Sequence, residues 1–185
     1  MTCIVGYVEA GTVFIGGDSA GVSDWDLTIR KDPKVFRNGP FLIGITSSYR
    51  MGQLLRFRLS VEQQHLHMDD FEYMATIFID AVRDCLNAHG WMGKDEDRDA
   101  GGSFLVGYRG ALYHIENDFQ VGISARPYHA VGCGAAYALG ALHAWNVGVP
   151  GASHPTGADP VRLALETSAA LSVGVCGPFI VEELP

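Results

Sequence analysis

The chain opens Thr2-Cys3-Ile4-Val5-Gly6-Tyr7-Val8-Glu9, turns at Ala10-Gly11, and runs back through Thr12-Val13-Phe14-Ile15-Gly16-Gly17-Asp18-Ser19. Both arms are apolar and β-branched with a small-residue pair between them, which predicts a hairpin. Next come Arg30-Lys31-Asp32-Pro33-Lys34-Val35-Phe36 and Phe41-Leu42-Ile43-Gly44-Ile45-Thr46-Ser47-Ser48. Here 34–37 and 41–46 predict a second hairpin around Asn38-Gly39, a strong short turn signal. Ser47 or Ser48 can cap a helix running to about residue 59.

Beyond this opening the period changes. Phe71, Met74, Ala75, Phe78, Ile79, Val82 and Leu86 recur at helical spacing, predicting a helix over 69–88 whose apolar stripe is core packing. A third hairpin is expected over 103–108 and 111–115, turned at Arg109-Gly110. Helices are expected over 135–145 and 159–171, and a closing strand over 179–183. Two stretches read as loops, 91–102 and 146–157. Contiguous hairpins alternating with paired helices favour two antiparallel sheets between helical layers, an α+β architecture. No internal repeat or boundary interrupts it, so 1–185 reads as a single domain.

Bulk properties narrow the function. The 185 residues are 48% hydrophobic and 18% charged, which suits a packed globular protein and argues against disorder. The formal net charge of −8 disfavours a nucleic-acid surface, because an acidic protein repels phosphates. No apolar run approaches the roughly 20 residues that span a bilayer. Asp18 would fall inside the apolar region of any signal peptide, so a cytoplasmic protein is expected. Cys3, Cys85, Cys133 and Cys176 are scattered, without a CxxC pair, which speaks against zinc and for a reduced compartment. His65-x-His67 has no third ligand nearby, Gly132-x-Gly134 lacks the spacing of a dinucleotide fingerprint, and no Gly-x-Ser-x-Gly elbow is present. Cys3 reads as a buried strand residue.

Thr2 carries a chemical possibility of its own. Removal of Met1 would place a hydroxyl and a free α-amine on one residue, giving a nucleophile its own base. An α-amine titrates near ~7.7–8.0 in model peptides, so much of it is neutral at physiological pH. Taken singly, Thr2 is an ordinary strand residue, Lys34 a strand-edge lysine and Asp18 a turn aspartate.

Taken together, at these intervals, the opening stretch resembles the proteasome β-subunit family, including HslV-type peptidases. Looser likeness continues in Gly132-Cys133-Gly134-Ala135 and in the segments 164–166 and 179–184. The resemblance implies the four-layer αββα sandwich of N-terminal-nucleophile (Ntn) hydrolases, and a threonine-type endopeptidase needing no metal or organic cofactor. It implies Thr2 as nucleophile, Lys34 as the charge favouring its alkoxide, and Asp18 as the partner orienting Lys34. The backbone N–H of Ser48 takes the oxyanion position, where the family commonly has Gly. Asp32, Thr46 and Arg50 match positions lining a substrate side-chain pocket, although Asp32 and Arg50 could also pair with each other.

Three further positions depart from the family pattern. Cys133 stands where the family has Ser, and the Asp and Ser that support the terminal amine fall at about Ser172 and Val175. Cysteine is the poorer hydrogen-bonding group and valine is none, which marks an atypical member. The resemblance also implies a homo-oligomeric ring, peptide or unfolded-protein substrates and an unfolding ATPase partner. Two other readings stay open: a catalytically silent structural or assembly subunit, and a small-molecule amidase using the same Thr2 chemistry.

Overall fold

The computed structural model describes residues 1–95, 98–148 and 156–185. Strands β1 (Cys3–Glu9) and β2 (Thr12–Gly17) form the first hairpin, with Ala10 and Gly11 both at positive φ, as the tight turn requires. A short hairpin follows, β3 (Ala20–Ser23) and β4 (Asp26–Ile29). Then β5 (Val35–Asn38) and β6 (Phe41–Ile45) lead into helix α1 (Tyr49–Phe57), capped by the Ser48 hydroxyl. The long helical stretch begins at the Asp69 cap as α2 (Asp70–Tyr73), widens into a π-helical turn over Met74–Phe78, and continues as α3 (Ile79–Ala88).

The second half adds β7 (Gly93–Asp95) and β8 (Arg98–Ala100), paired with each other, then β9 (Phe104–Tyr108), β10 (Ala111–Ile115), β11 (Val121–Ile123) and β12 (Tyr128–Gly132). It closes with α4 (Ala135–Val147), α5 (Asp159–Leu171) and β13 (Ile180–Leu184). Two antiparallel sheets result, β12-β1-β2-β13 and β11-β10-β9-β6-β5. No helix of the described residues is long and apolar enough to cross a membrane.

Strand alternation builds three cores, giving the αββα sandwich. Cys3, Val5 and Tyr7 of β1 join Phe14 and Tyr128 against Ala138, Leu142, Val161 and Leu165 of α4 and α5. The opposite face sends Ile4, Val13 and Ile15 between the sheets, where they meet Val35, Leu42, Leu105 and Leu112. On the far side Ile43, Ile45, Phe104 and Val106 pack on Met51, Leu55, Met74, Phe78 and Val82. Thus each sheet buries both faces, which explains its near-continuous apolar runs.

The sheets approach closely because glycines face the gap. A Cβ at Gly44 would lie 2.5 Å from Ile4 Cγ2 and 2.7 Å from Ile15 Cγ2, and one at Gly6 would lie 2.6 Å from Leu112 Cδ2. Ile4 and Ile15 are β-branched and stiff, so they cannot swing aside.

Several expectations are corrected here. The stretch 91–102 holds β7 and β8 rather than a continuous loop; its residues 96–97 lie outside the described residues, as do 149–155 of the loop expected over 146–157. Strands β3, β4, β11 and β12 were not expected, because they are only 4, 4, 3 and 5 residues long and carry little periodicity. The hairpins at Ala10-Gly11 and Arg109-Gly110 and helix 159–171 agree with the sequence reading. The register Asn38↔Phe41 moves the second turn to Gly39-Pro40. Asn38 instead donates its side-chain amide to the carbonyls of Leu55 and Leu59, tying that turn to the end of α1.

Gly44→Val should lower unfolding free energy by about 2 kcal/mol, the usual effect of forcing methyl groups into a filled core. Urea denaturation would show the midpoint falling with little change in slope.

Candidate active site

The site is built around a charge pair sealed between the sheets. β2 ends at Gly17, paired with Ile4, and the chain turns so that the Asp18 N–H donates to Cys3 O. Asp18 Oδ1 then accepts from the Cys3 N–H and from Lys34 Nζ, both at 2.9 Å, while Oδ2 accepts from the Ala20 N–H at 3.0 Å. Lys34 arrives from the other sheet, one residue before β5, and Ile45 N–H donates to its carbonyl. The two side chains are 2% and 0% exposed. Burial pulls the Lys34 ammonium below its ordinary value, with the Asp18 charge and hydrogen bond opposing that shift.

Thr2 precedes β1 and is held by the turn between β12 and α4. Its N–H donates to Cys133 Sγ at 3.3 Å, and the Cys133 thiol donates to Thr2 O at 3.4 Å. Gly134 N–H also reaches Thr2 O. Gly132 sits at φ +98°, and a Cβ there would lie 2.3 Å from Thr2 O, so only glycine lets this turn wrap the Thr2 backbone. The Thr2 hydroxyl donates to Met1 O. Ser172, just past α5, places its Oγ 3.9 Å from Cys133 Sγ, so it meets Thr2 only through the thiol. Val175 is buried in the helix-side core, with its methyl beside Gly134.

Thr2, Lys34, Thr46 and Ser48 line one cleft of about 280 Å³. The left-handed residue in the turn is Ser47, at φ +59°, whereas Ser48 is extended at φ −148°. The side chain at 48 is therefore unstrained, despite the glycine common at this place in the family pattern. Ser47 is held in place by Ser103 N–H, which donates to its Oγ, and Gly102 leaves room for that hydroxyl. Ser48 N–H donates to Thr46 O at 2.6 Å, and Thr46 Oγ1 donates to Ser103 O.

Asp32 and Arg50 are not brought into this cleft. Arg50 is exposed at the start of α1. Asp32 faces a neighbouring cavity of about 90 Å³ and pairs with Arg30, not with Arg50. Arg30 Nε and Nη2 reach its two oxygens at 2.9 and 2.7 Å, and this holds the Asp32 carboxyl below its ordinary value. Sequence reasoning passed over Arg30 and Tyr49. Arg30 lines the Thr2 cleft with its guanidinium 3.8 Å from the centre of the Tyr49 ring, and the Lys34 ammonium stands 5.6 Å from the same ring. No local signal marks Arg30, because only the unexpected β3–β4 hairpin brings it to the cleft. Burial pushes the Tyr49 phenol up to about 12, so it stays neutral while donating to Ala20 O.

No model of a known protein family and no curated protein matches the sequence. Solved structures do match. Thiobacillus denitrificans BPH superposes with a TM-score of 0.78 at 17% identity, covering 99% of this chain and 98% of that one. Its complex with epoxomicin gives 0.75 at 16%, covering 99% of both chains. HslV from Trypanosoma brucei gives 0.67 at 19%, covering 98% of both, and Anbu (ancestral beta-subunit) from Yersinia bercovieri gives 0.65 at 16%, covering 99% of this chain and 81% of that one. The chain has the proteasome-type Ntn-hydrolase fold. Likeness at this identity establishes the architecture, and the chemistry must rest on the residues within it.

In this fold the charge pair can be tested through stability. Asp18→Asn removes the counter-charge of a buried ammonium and should cost about 3 kcal/mol. Lys34→Met should cost less, because the carboxylate keeps two backbone donors. The double variant should recover part of the Asp18→Asn loss. Chemical denaturation of the three proteins checks the order.

Proposed function

We propose that the chain is an atypical threonine-type endopeptidase whose nucleophile is Thr2, exposed by removal of Met1. The observation that carries this reading is Lys34, held by the buried Asp18 carboxylate, on the wall of the same cleft as Thr2. A buried ion pair is a poor device for stability alone, since desolvation of both charges offsets most of their attraction. Its value here is a fixed cation beside a hydroxyl that must become an alkoxide.

The proposed reaction runs in two steps. Thr2 Oγ attacks a peptide carbonyl while its proton passes to the free α-amine, directly or through one water. The Lys34 ammonium lowers the cost of the developing negative charge and keeps the neighbouring amine neutral. The carbonyl oxygen, now an oxyanion, takes the Ser48 N–H in place of Thr46 O. Collapse expels the amine half of the substrate, protonated by the α-ammonium, and leaves an ester on Thr2. Water, deprotonated by the same amine, then releases the acid half.

Cys133 and Ser172 support the amine in this account. Cys133 Sγ is already the hydrogen-bond partner of Thr2 N, and Ser172 stands behind it. Thr46 lines the cleft, while Asp32 and Arg50 lie outside it. Closed homo-oligomeric rings would confine the sites, with an unfolding ATPase delivering protein substrates in the cytoplasm. A silent structural subunit is the second reading, favoured by Val175, which offers the terminal amine no hydrogen bond.

The test uses the purified full chain. Intact mass should fall short of the translated chain by one methionine, and epoxomicin should add one equivalent, mapped to Thr2 by peptide sequencing. Thr2→Ala should take up none. Retained Met1 with no adduct would favour the silent subunit.

Cys133→Ser should quicken epoxomicin labelling several-fold, because a hydroxyl orients the amine better than a thiol. Stopped-time mass spectrometry of the two proteins measures the ratio.

A further inference from the structure

The Thr2 cleft carries an uneven charge distribution. Among the described residues that line it, the charged side chains are Arg30 and Lys34, and no Asp or Glu takes part. Lys34 is committed to Asp18 and nearly inaccessible. Arg30 is the accessible cation, with its side chain 35% exposed. This is notable in a chain whose formal net charge is −8.

Arg30 is also fixed in place. Asp32 grips one edge of the guanidinium through two short hydrogen bonds. Tyr49 lies against its face. Its stem crosses Gly21, where a Cβ would come within 2.9 Å of Arg30 Cδ. The backbone is anchored too, by the Arg30 N–H to Ser19 O. A guanidinium has five N–H donors in a rigid fork, and Asp32 engages two of them. The Nη1 group has no partner among the described residues, so the fork keeps an edge suited to a second carboxylate. Asp32 meanwhile lies on the side of the neighbouring small cavity and does not line the cleft. The remaining wall is rich in hydroxyls, from Ser23, Thr28, Thr46, Ser47 and Ser48. These can hydrogen-bond an oxygen-bearing side chain, while Val22 and Ile45 supply apolar contact for its stem.

We infer that Arg30 makes the Thr2 cleft selective for peptides carrying an acidic side chain beside the bond to be cleaved. The inference rests on the peptidase reading above and names its substrate class. The carboxylate of the bound peptide takes the open edge of the guanidinium, while the Asp32 and Tyr49 contacts hold that edge toward the cleft. Without Asp32 the side chain would lose its orientation, so the ion pair positions the recognition group as well as partly neutralising it.

Two fluorogenic peptides differing only as Glu or Gln, at the residue whose carbonyl is attacked, provide the test on the full-length protein. The expected kcat/KM ratio favours Glu by roughly tenfold at low ionic strength, the scale of one charge-assisted hydrogen bond. The ratio should shrink as salt is raised. In Arg30→Met it should fall to near one, and Arg30→Lys should retain part of it. A wild-type ratio of one or below, or a ratio unchanged in Arg30→Met, overturns the inference. If Thr2 takes up epoxomicin while the ratio is one, only the acidic preference fails. A protein that neither labels at Thr2 nor cleaves either peptide overturns the peptidase reading and this inference with it.

Discussion

One carboxylate joins the two halves of this molecule. Asp18 lies at the end of β2 in the first sheet, and the lysine it holds, Lys34, leads into β5 in the second. Its remaining acceptor positions are filled by the N–H groups of Cys3 and Ala20, so β1 and β3 are fixed by the same side chain. Burying an ammonium and a carboxylate together is tolerable only when the geometry is close and the other polar positions are satisfied. Here the pair is close, and the carboxylate accepts two further backbone N–H groups. The consequence reaches Thr2, because the residue after it gives its N–H to Asp18 and its orientation follows from that bond.

Glycines set the distances that this arrangement needs. Gly44 and Gly6 let the sheets meet, so Lys34 can reach across the gap, and Gly17 leaves room beside Ile4 and Val35 where the lysine enters. Gly132 performs the corresponding task on the other flank, bringing Cys133 to the Thr2 nitrogen. A side chain at any of these places would push apart groups whose chemistry depends on contact. The approach of Lys34 to the cleft is therefore set by the sheet spacing.

Much of the fold was legible because its long elements are strongly patterned. Both arms of the β1–β2 hairpin are apolar and β-branched around a small-residue turn, and α5 spans the expected 159–171. The pairing of Asp18 with Lys34 followed from intervals shared with a known family, and the geometry pairs them and places Lys34 with Thr2, Thr46 and Ser48 around one cleft. What stayed hidden was tertiary. Nothing local in the sequence tells that Asp32 turns to Arg30 and leaves Arg50 exposed, since either arginine could neutralise it. The β3–β4 hairpin is too short to show a period, yet it supplies much of the cleft wall and brings Arg30 to it. The positive φ of the Ser47-Ser48 turn falls on Ser47, and propensity cannot say which of two serines takes it.

The departures at Cys133 and Val175 concern the surroundings of Thr2 N and leave the Lys34–Asp18 pair intact. Cys133 keeps a hydrogen bond to Thr2 N, and Ser172 follows at one remove. The central claim is that a free amine and hydroxyl on Thr2 act as one reactive unit beside Lys34. A crystal structure of the epoxomicin-treated protein tests it most directly, since the ketone and the adjacent epoxide offer two electrophilic carbons. The account predicts covalent bonds from both Thr2 Oγ and Thr2 N, with the Lys34–Asp18 pair intact beneath them. An inhibitor bonded elsewhere, or a Thr2 still joined to Met1 with an empty cleft, would contradict it.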